Sequence, residues 1–195
     1  MEISSIDPTL YTVEQRSATI DFATLMQHYR DVQRVRAYCQ QCPLFGRMWS
    51  CPPHYAVDIE PLFRNFDTAE LHATLIKFTP EAIANCQGAA ESRASATRAI
   101  DATWQQLLPW LYEQERVVPG SRLMAGRCRL CSPTPCTRLH GEPCRHPEQM
   151  RQSLESAGFD VVAIASQLLR IELQWSDGNT LQPYITLVTA VLRPA

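Results

Sequence analysis

Seven of the eight cysteines fall into two blocks. The first reads CQQCPLFGRMWSCPPH and carries Cys39, Cys42 and Cys51, with His54 just beyond. The second reads CRLCSPTPCTRLHGEPCRHP and carries Cys128, Cys131, Cys136 and Cys144. Each block opens on a C-x2-C turn, which lets two thiolates face one centre while backbone amides face the sulfurs; further ligands come from the longer loop. Soft thiolates select zinc or iron–sulfur clusters over magnesium or calcium. Zinc would take Cys39, Cys42, Cys51 and His54 as one tetrahedron. Its second site would be the four thiolates of the second block, with His140 or His146 as substitutes. A 4Fe–4S cluster would use the same second set as its four thiolates. The first set would then leave one iron for His54, Cys86, a residue of the other set or an external ligand. Whether the blocks hold two centres or pool ligands around one stays open at this level. Cys86, alone in an Ala-rich stretch, reads as a small core or surface residue.

The basic residues fit an anionic centre. Of 18 Lys and Arg only Lys77 is a lysine. Arg30, Arg34, Arg36 and Arg47 crowd the first block, and Arg122, Arg127, Arg129, Arg138, Arg145 and Arg151 the second. Arginine keeps its charge when desolvated, so Arg36, Arg129, Arg145 and His54 are candidates for groups that surround a cofactor and tune it. An Arg-rich composition without special purpose is the plainer alternative. Other chemistries compete less well. Disulfides would need an oxidising compartment. Cys144 with His146 could form a nucleophile pair. Zinc-finger-like loops could meet nucleic acid, but a net charge of −2 and a pI near 6.2 argue against that and against a polybasic membrane-surface protein. No apolar run approaches the roughly 20 residues of a membrane span. The opening MEISSIDPTL has two acids and no apolar leader, so a cytoplasmic location is expected. No G-x-G-x-x-G, P-loop, G-x-S-x-G or H-E-x-x-H motif occurs.

The elements that must position these loops read as an α+β domain spanning residues 1–195, with 45% hydrophobic residues to build its core. Residues 10–20 and 70–78 read as strands, the latter central because both faces are apolar. Asp21 caps a helix expected over 22–34. A short helix with Pro61 in its first turn follows at 59–66, and Thr79-Pro80 starts another that weakens at Gly88 and resumes over 91–116. Pro109 should kink that helix. His72, Trp104 and Trp110 read as core residues rather than ligands. Arg122–Ala125 is a short strand. A helix over 148–157 should stop at Gly158, and Asp160 should cap a further one to about 169. Strands at 172–175 and 183–192 are joined by Ser176-Asp177-Gly178-Asn179, a turn signal. The expected architecture is an antiparallel or mixed sheet with helices on one face.

The two blocks also resemble a family. The stretch from Arg36 through Cys39, Cys42-Pro43-Leu44-Phe45-Gly46 and Trp49-Ser50-Cys51-Pro52-Pro53 is similar to its N-terminal signature. Ala125-Gly126-Arg127-Cys128-Arg129-Leu130-Cys131, Cys136, Gly141, Pro143-Cys144-Arg145-His146-Pro147 and the stretch from Ser153 to Val161 resemble its C-terminal one. Phe45 stands where a tyrosine is frequent. The family is the predicted metal-binding proteins, domain of unknown function 2284. The resemblance implies metal binding, with iron–sulfur favoured. Together with ligand type, spacing and local positive charge, it leads to the expectation of one or two clusters, 4Fe–4S in type, serving electron transfer or a small reductive task with a redox partner protein. Zinc in a binding module without redox activity is the rival. The resemblance supplies no reaction, substrate or oligomeric state.

Overall fold

The computed structural model describes residues 3–53 and 59–195. Four strands form an antiparallel sheet in the order β1-β2-β4-β3: β1 Tyr11–Asp21, β2 Phe66–Phe78, β3 Arg122–Met124 and β4 Tyr184–Pro194. β2 is central, paired along its length with β1 (Ala18 opposite Leu71) and β4 (Ala73 opposite Val188). Its alternation decides the layering. Ala69, Leu71, Ala73 and Leu75 face one cluster, and His72, Ile76 and Phe78 face the other side.

Both faces are therefore covered, which corrects the expectation of helices on one face. On one side, Phe22 and Leu25 of α1 (Phe22–Tyr29) and Leu154, Phe159 and Ile164 pack on β2 and β4. On the other, Trp104, Leu107 and Leu111 of α4 (Ala89–Val117) pack on Leu123 and Val191. A strand apolar on both faces cannot leave either to water without losing roughly 25 cal/mol per Å². Trp104 is buried here, Trp110 half-buried, and His72 meets the Trp110 ring edge-on at 5.2 Å. Pro109 lies within α4 on its exposed side.

Caps appear where the sequence puts them. The Asp21 side chain accepts from Thr24 N at 2.7 Å, and Thr79 Oγ1 from Ala82 N at 3.1 Å, starting α3 (Pro80–Asn85). The helix expected over 22–34 is two helices. Arg30 leaves the helix to bridge Phe159, and Asp31 starts α2 (Val32–Gln40) by accepting from Arg34 N at 2.9 Å. A second cap plus a backbone bridge outcompetes continuation of one helix. The short helix near Pro61 is a 3-10 turn, Glu60–Phe63.

Residues 148–157 do not form the expected helix; only Glu155–Ala157 closes a 3-10 turn. Arg151 is taken by a tertiary partner, forking onto the Glu115 carboxylate of α4 at 2.7–3.0 Å, and it also donates to Glu148 O, three residues back, at 2.6 Å. Beyond Asp160, which accepts from Val162 and Ala163, lie α5 (Val161–Ala163) and a π turn to Leu168. Residues 172–175 are not a strand. Ile171 and Leu173 turn into the α1-side cluster, and Tyr184 OH donates to Glu172 O. The turn after them does form, with Asp177 Oδ1 accepting from Asn179 and Thr180 at 2.8 Å. Among the described residues no helix is long and apolar enough to cross a membrane.

Candidate metal centre

The first cysteine set grows out of α2. Cys39 sits in the last turn of that helix, and its neighbours follow on tight turns: Cys42 N donates to Cys39 O, and Phe45 N to Cys42 O, each at 3.0 Å. Pro43 and Gly46 keep the chain from continuing as helix, and Gly46 takes a φ of +71° and donates to Pro52 O. What fixes α2 is its contact with the turn at 155–158. Asp31 N donates to Gly158 O at 2.9 Å, and Cys39 Sγ lies 3.9 Å from Glu155 O. Gly158 is required at this point. Its φ is +91°, and a Cβ there would stand 2.8–2.9 Å from Cγ2 and Cα of Val32.

The three thiols of this set bear on one another and on Glu155. Burial pushes the Cys39 thiol up to about 11, and the charges of Glu155, Cys51 and Cys42 add to it while Arg36 opposes them. Burial also raises Cys51; Ser50, 4.0 Å away, and Arg138 pull the other way. Glu155 itself is raised by burial. A metal would therefore have to displace protons from these thiols.

The second set hangs between β3 and the 3-10 turn Thr137–His140. Glu115 of α4 holds the segments before and after it, accepting from Leu123 N at 2.6 Å as well as from Arg151. Burial raises the Cys128 thiol, opposed by a hydrogen bond from the Leu130 backbone N–H; Cys131, Cys144 and Cys136 raise it further. Those four sulfurs thus share one electrostatic neighbourhood. Sulfurs of both sets accept amides two residues on: Leu44 N donates to Cys42 Sγ at 3.5 Å and His146 N to Cys144 Sγ at 3.4 Å, as Leu130 does to Cys128. Such bonds favour the thiolate and tune a bound centre.

The fold brings the two blocks together. Arg138 donates to Met48 O at 2.6 Å, to Cys51 O at 2.5 Å and to Pro53 O, and its guanidinium lies over the Trp49 ring at 5.2 Å. Trp49 Nε1 donates back to Glu142 O at 3.1 Å. Between the blocks lies a cavity of about 320 Å3, lined by Leu44, Arg47 and Met48 on one side and by Cys128, Cys131, Cys136, Arg127 and Arg129 on the other.

The remaining sequence candidates divide. Arg129 lines this cavity and is ion-paired to Asp101 of α4, yet its Nε is buried with no hydrogen-bond partner. Arg36 is exposed and acts on Cys39 through its charge. Arg145 donates to Pro135 O at 3.1 Å, bracing the second loop. His54 lies outside the described residues. Cys86 belongs to neither set; it packs beside Tyr11, Ile76 and Phe78 and is 3.5 Å from Ser95 Oγ. None of the eight cysteines is in a disulfide.

Two residues escaped sequence reasoning. Arg138 was one basic residue among ten, and its role as the staple between blocks needs both loops folded. Glu155 carried no ligand-like spacing, although it stands in the C-terminal signature.

The donor chemistry fits a soft metal: thiols in two sets, amides aimed at sulfurs, and an unpartnered buried N–H at the cavity. Among the described residues no three His, Cys, Asp or Glu side chains are close enough to clasp a single ion. No curated protein and no solved structure matches the chain. A family model does match, over residues 26–192, so both cysteine blocks and β2 through most of β4 fall within it, and the chain belongs to the predicted metal-binding protein family DUF2284.

Proposed function

We propose that the protein binds iron–sulfur clusters through two cysteine sets, a 4Fe–4S cluster on Cys128, Cys131, Cys136 and Cys144 and a second centre on Cys39, Cys42 and Cys51. Its task in this reading is to pass electrons to a partner protein, or to serve a small reductive reaction, in the cytoplasm. The observation that carries the reading is the cavity of about 320 Å3 between the blocks, lined by three thiols and by Arg129, whose buried Nε–H lacks an acceptor. A space on this scale, with sulfurs near each other but not clasped on one point, suits a multi-atom anionic cluster better than one zinc ion.

When bound, such clusters accept and release single electrons at a potential set by charge and hydrogen bonding. The chain's own residues supply that setting. Arg129 offers an N–H to an anion in the cavity. The amides of Leu44, Leu130 and His146 stabilise thiolate charge. Arg36 adds positive charge beside Cys39, and Arg145 holds the second loop in shape. Asp101 keeps the Arg129 fork oriented from α4, and Leu44 and Met48 limit water at the first-block wall.

Anaerobic purification tests this directly. The expected protein is brown, with broad sulfide- and thiolate-to-iron absorption, and contains iron and acid-labile sulfide. Colourless protein with stoichiometric zinc would replace the reading with a zinc-stabilised binding module.

A further inference from the structure

The first set has three thiols where a closed four-donor centre needs four. The structure places an acidic residue beside them, on a turn packed against α2. Glu155 lies on the 3-10 turn that packs against α2, its backbone oxygen 3.9 Å from Cys39 Sγ, and its charge reaches both Cys39 and Cys51. Glu155 Oε2 is fully buried and has no hydrogen-bond partner. A buried carboxylate oxygen without a donor costs several kcal/mol unless it takes a proton or something cationic meets it.

The turn leaves Glu155 little freedom. Leu154 beside it is wholly buried, Ser156 N and Oγ bond back to Ser153, and Gly158 is locked against Val32. The Ser153 hydroxyl hydrogen-bonds this carboxylate, and Oε2 is left over. An apolar residue of similar length would fill the place without an orphaned polar atom.

We propose that Glu155 is the fourth protein donor of the first centre, a carboxylate completing the set Cys39, Cys42 and Cys51. This rests on the metal-binding reading of that set. An oxygen donor binds iron less tightly than a thiolate and gives it up to a competing ligand more readily. The first centre is then the exchangeable one, and the second, all-thiolate centre the closed one.

The test reconstitutes the full-length chain anaerobically with ferrous iron and sulfide, for the wild type and for Glu155→Gln, Glu155→Cys, His54→Ala and Cys39→Ser. Iron per chain, labile sulfide and the electron paramagnetic resonance spectrum are recorded for each. Cys39→Ser reports on the underlying reading: iron equal to wild type there would mean that the first set holds no centre. If Cys39→Ser does lose iron, Glu155→Gln should lose about one iron per chain and gain, in the oxidised state, a three-iron signal absent from the wild type. Glu155→Cys should regain that iron with an altered spectrum. Should the chain take zinc instead, Glu155→Gln should weaken zinc binding at the first set at least about tenfold. Wild-type iron and spectrum in Glu155→Gln would overturn the assignment, as would loss in His54→Ala alone. If Glu155→Gln does not fold, Glu155→Cys decides: a changed spectrum supports the carboxylate, an unchanged one rejects it.

Discussion

The two cysteine sets are built by opposite means. The first is anchored on regular structure: Cys39 belongs to α2, and that helix is pinned to the 155–158 turn through Gly158 and Val32. The second is an irregular loop held from outside by α4, through Asp101 to Arg129 and Glu115 to Arg151. The first has three thiols beside a buried carboxylate; the second has four thiols. A loop that carries all four of its cysteines needs only tethers at its ends. The set of three is placed by a contact with a distant segment, so its geometry depends on tertiary packing. Arg138 is where the two solutions meet, since it sits in the second loop and bonds three carbonyls of the first.

The comparison breaks most visibly at the ligands. Cys131→Ser should empty the second centre, removing about half the bound metal and leaving the first; Cys86→Ser should change nothing. Metal analysis of the purified variants checks this, and equal losses would mean that the ligand sets are misassigned. Gly158→Ala attacks the other side. Forcing a Cβ into Val32 at positive φ should cost about 2–5 kcal/mol in chemical denaturation and deplete the first centre in preference to the second.

Arg138→Leu should cost less, about 1.5–3 kcal/mol, because charge-assisted bonds are lost at a partly exposed site. Its signature should be weakened metal retention in both sets, read as faster release to a chelator. The smallest effect belongs to a residue outside both regions. Burial holds the His72 imidazole below its ordinary value of 6.5, with Arg193 acting in the same sense and Glu70 against it. The unfolded chain therefore takes up a proton first as pH falls. Stability associated with this histidine is complete above about pH 6.5 and is lost progressively below it, by no more than about 1.4 kcal/mol per pH unit. Denaturation midpoints of metal-free protein at pH 7.5 and 5.5 should show His72→Phe less acid-sensitive than wild type, with metal content the same in both.

Much of the fold was legible locally. Asp21, Thr79 and Asp160 cap helices because a short polar side chain reaches amides two or three residues on, which requires nothing remote. β2 was legible as central from its two apolar faces. The misread segments are those that a distant partner captured: Arg30 left its helix for Phe159, and Arg151 was taken by Glu115. The site divides in the same way. The cysteines announced themselves by type and spacing, whereas Glu155 lies 116 residues from Cys39 and has no spacing to give it away.

By itself the sequence determined the cysteines, their grouping into three and four, and membership of a predicted metal-binding family, because residue type and C-x2-C spacing are local properties. Only the tertiary structure decided that the blocks share a cleft, that Arg138 staples them and that Glu155 stands beside the set of three. Those facts depend on long-range packing across both faces of the sheet, and no short window of residues encodes which remote side chain fills a given gap.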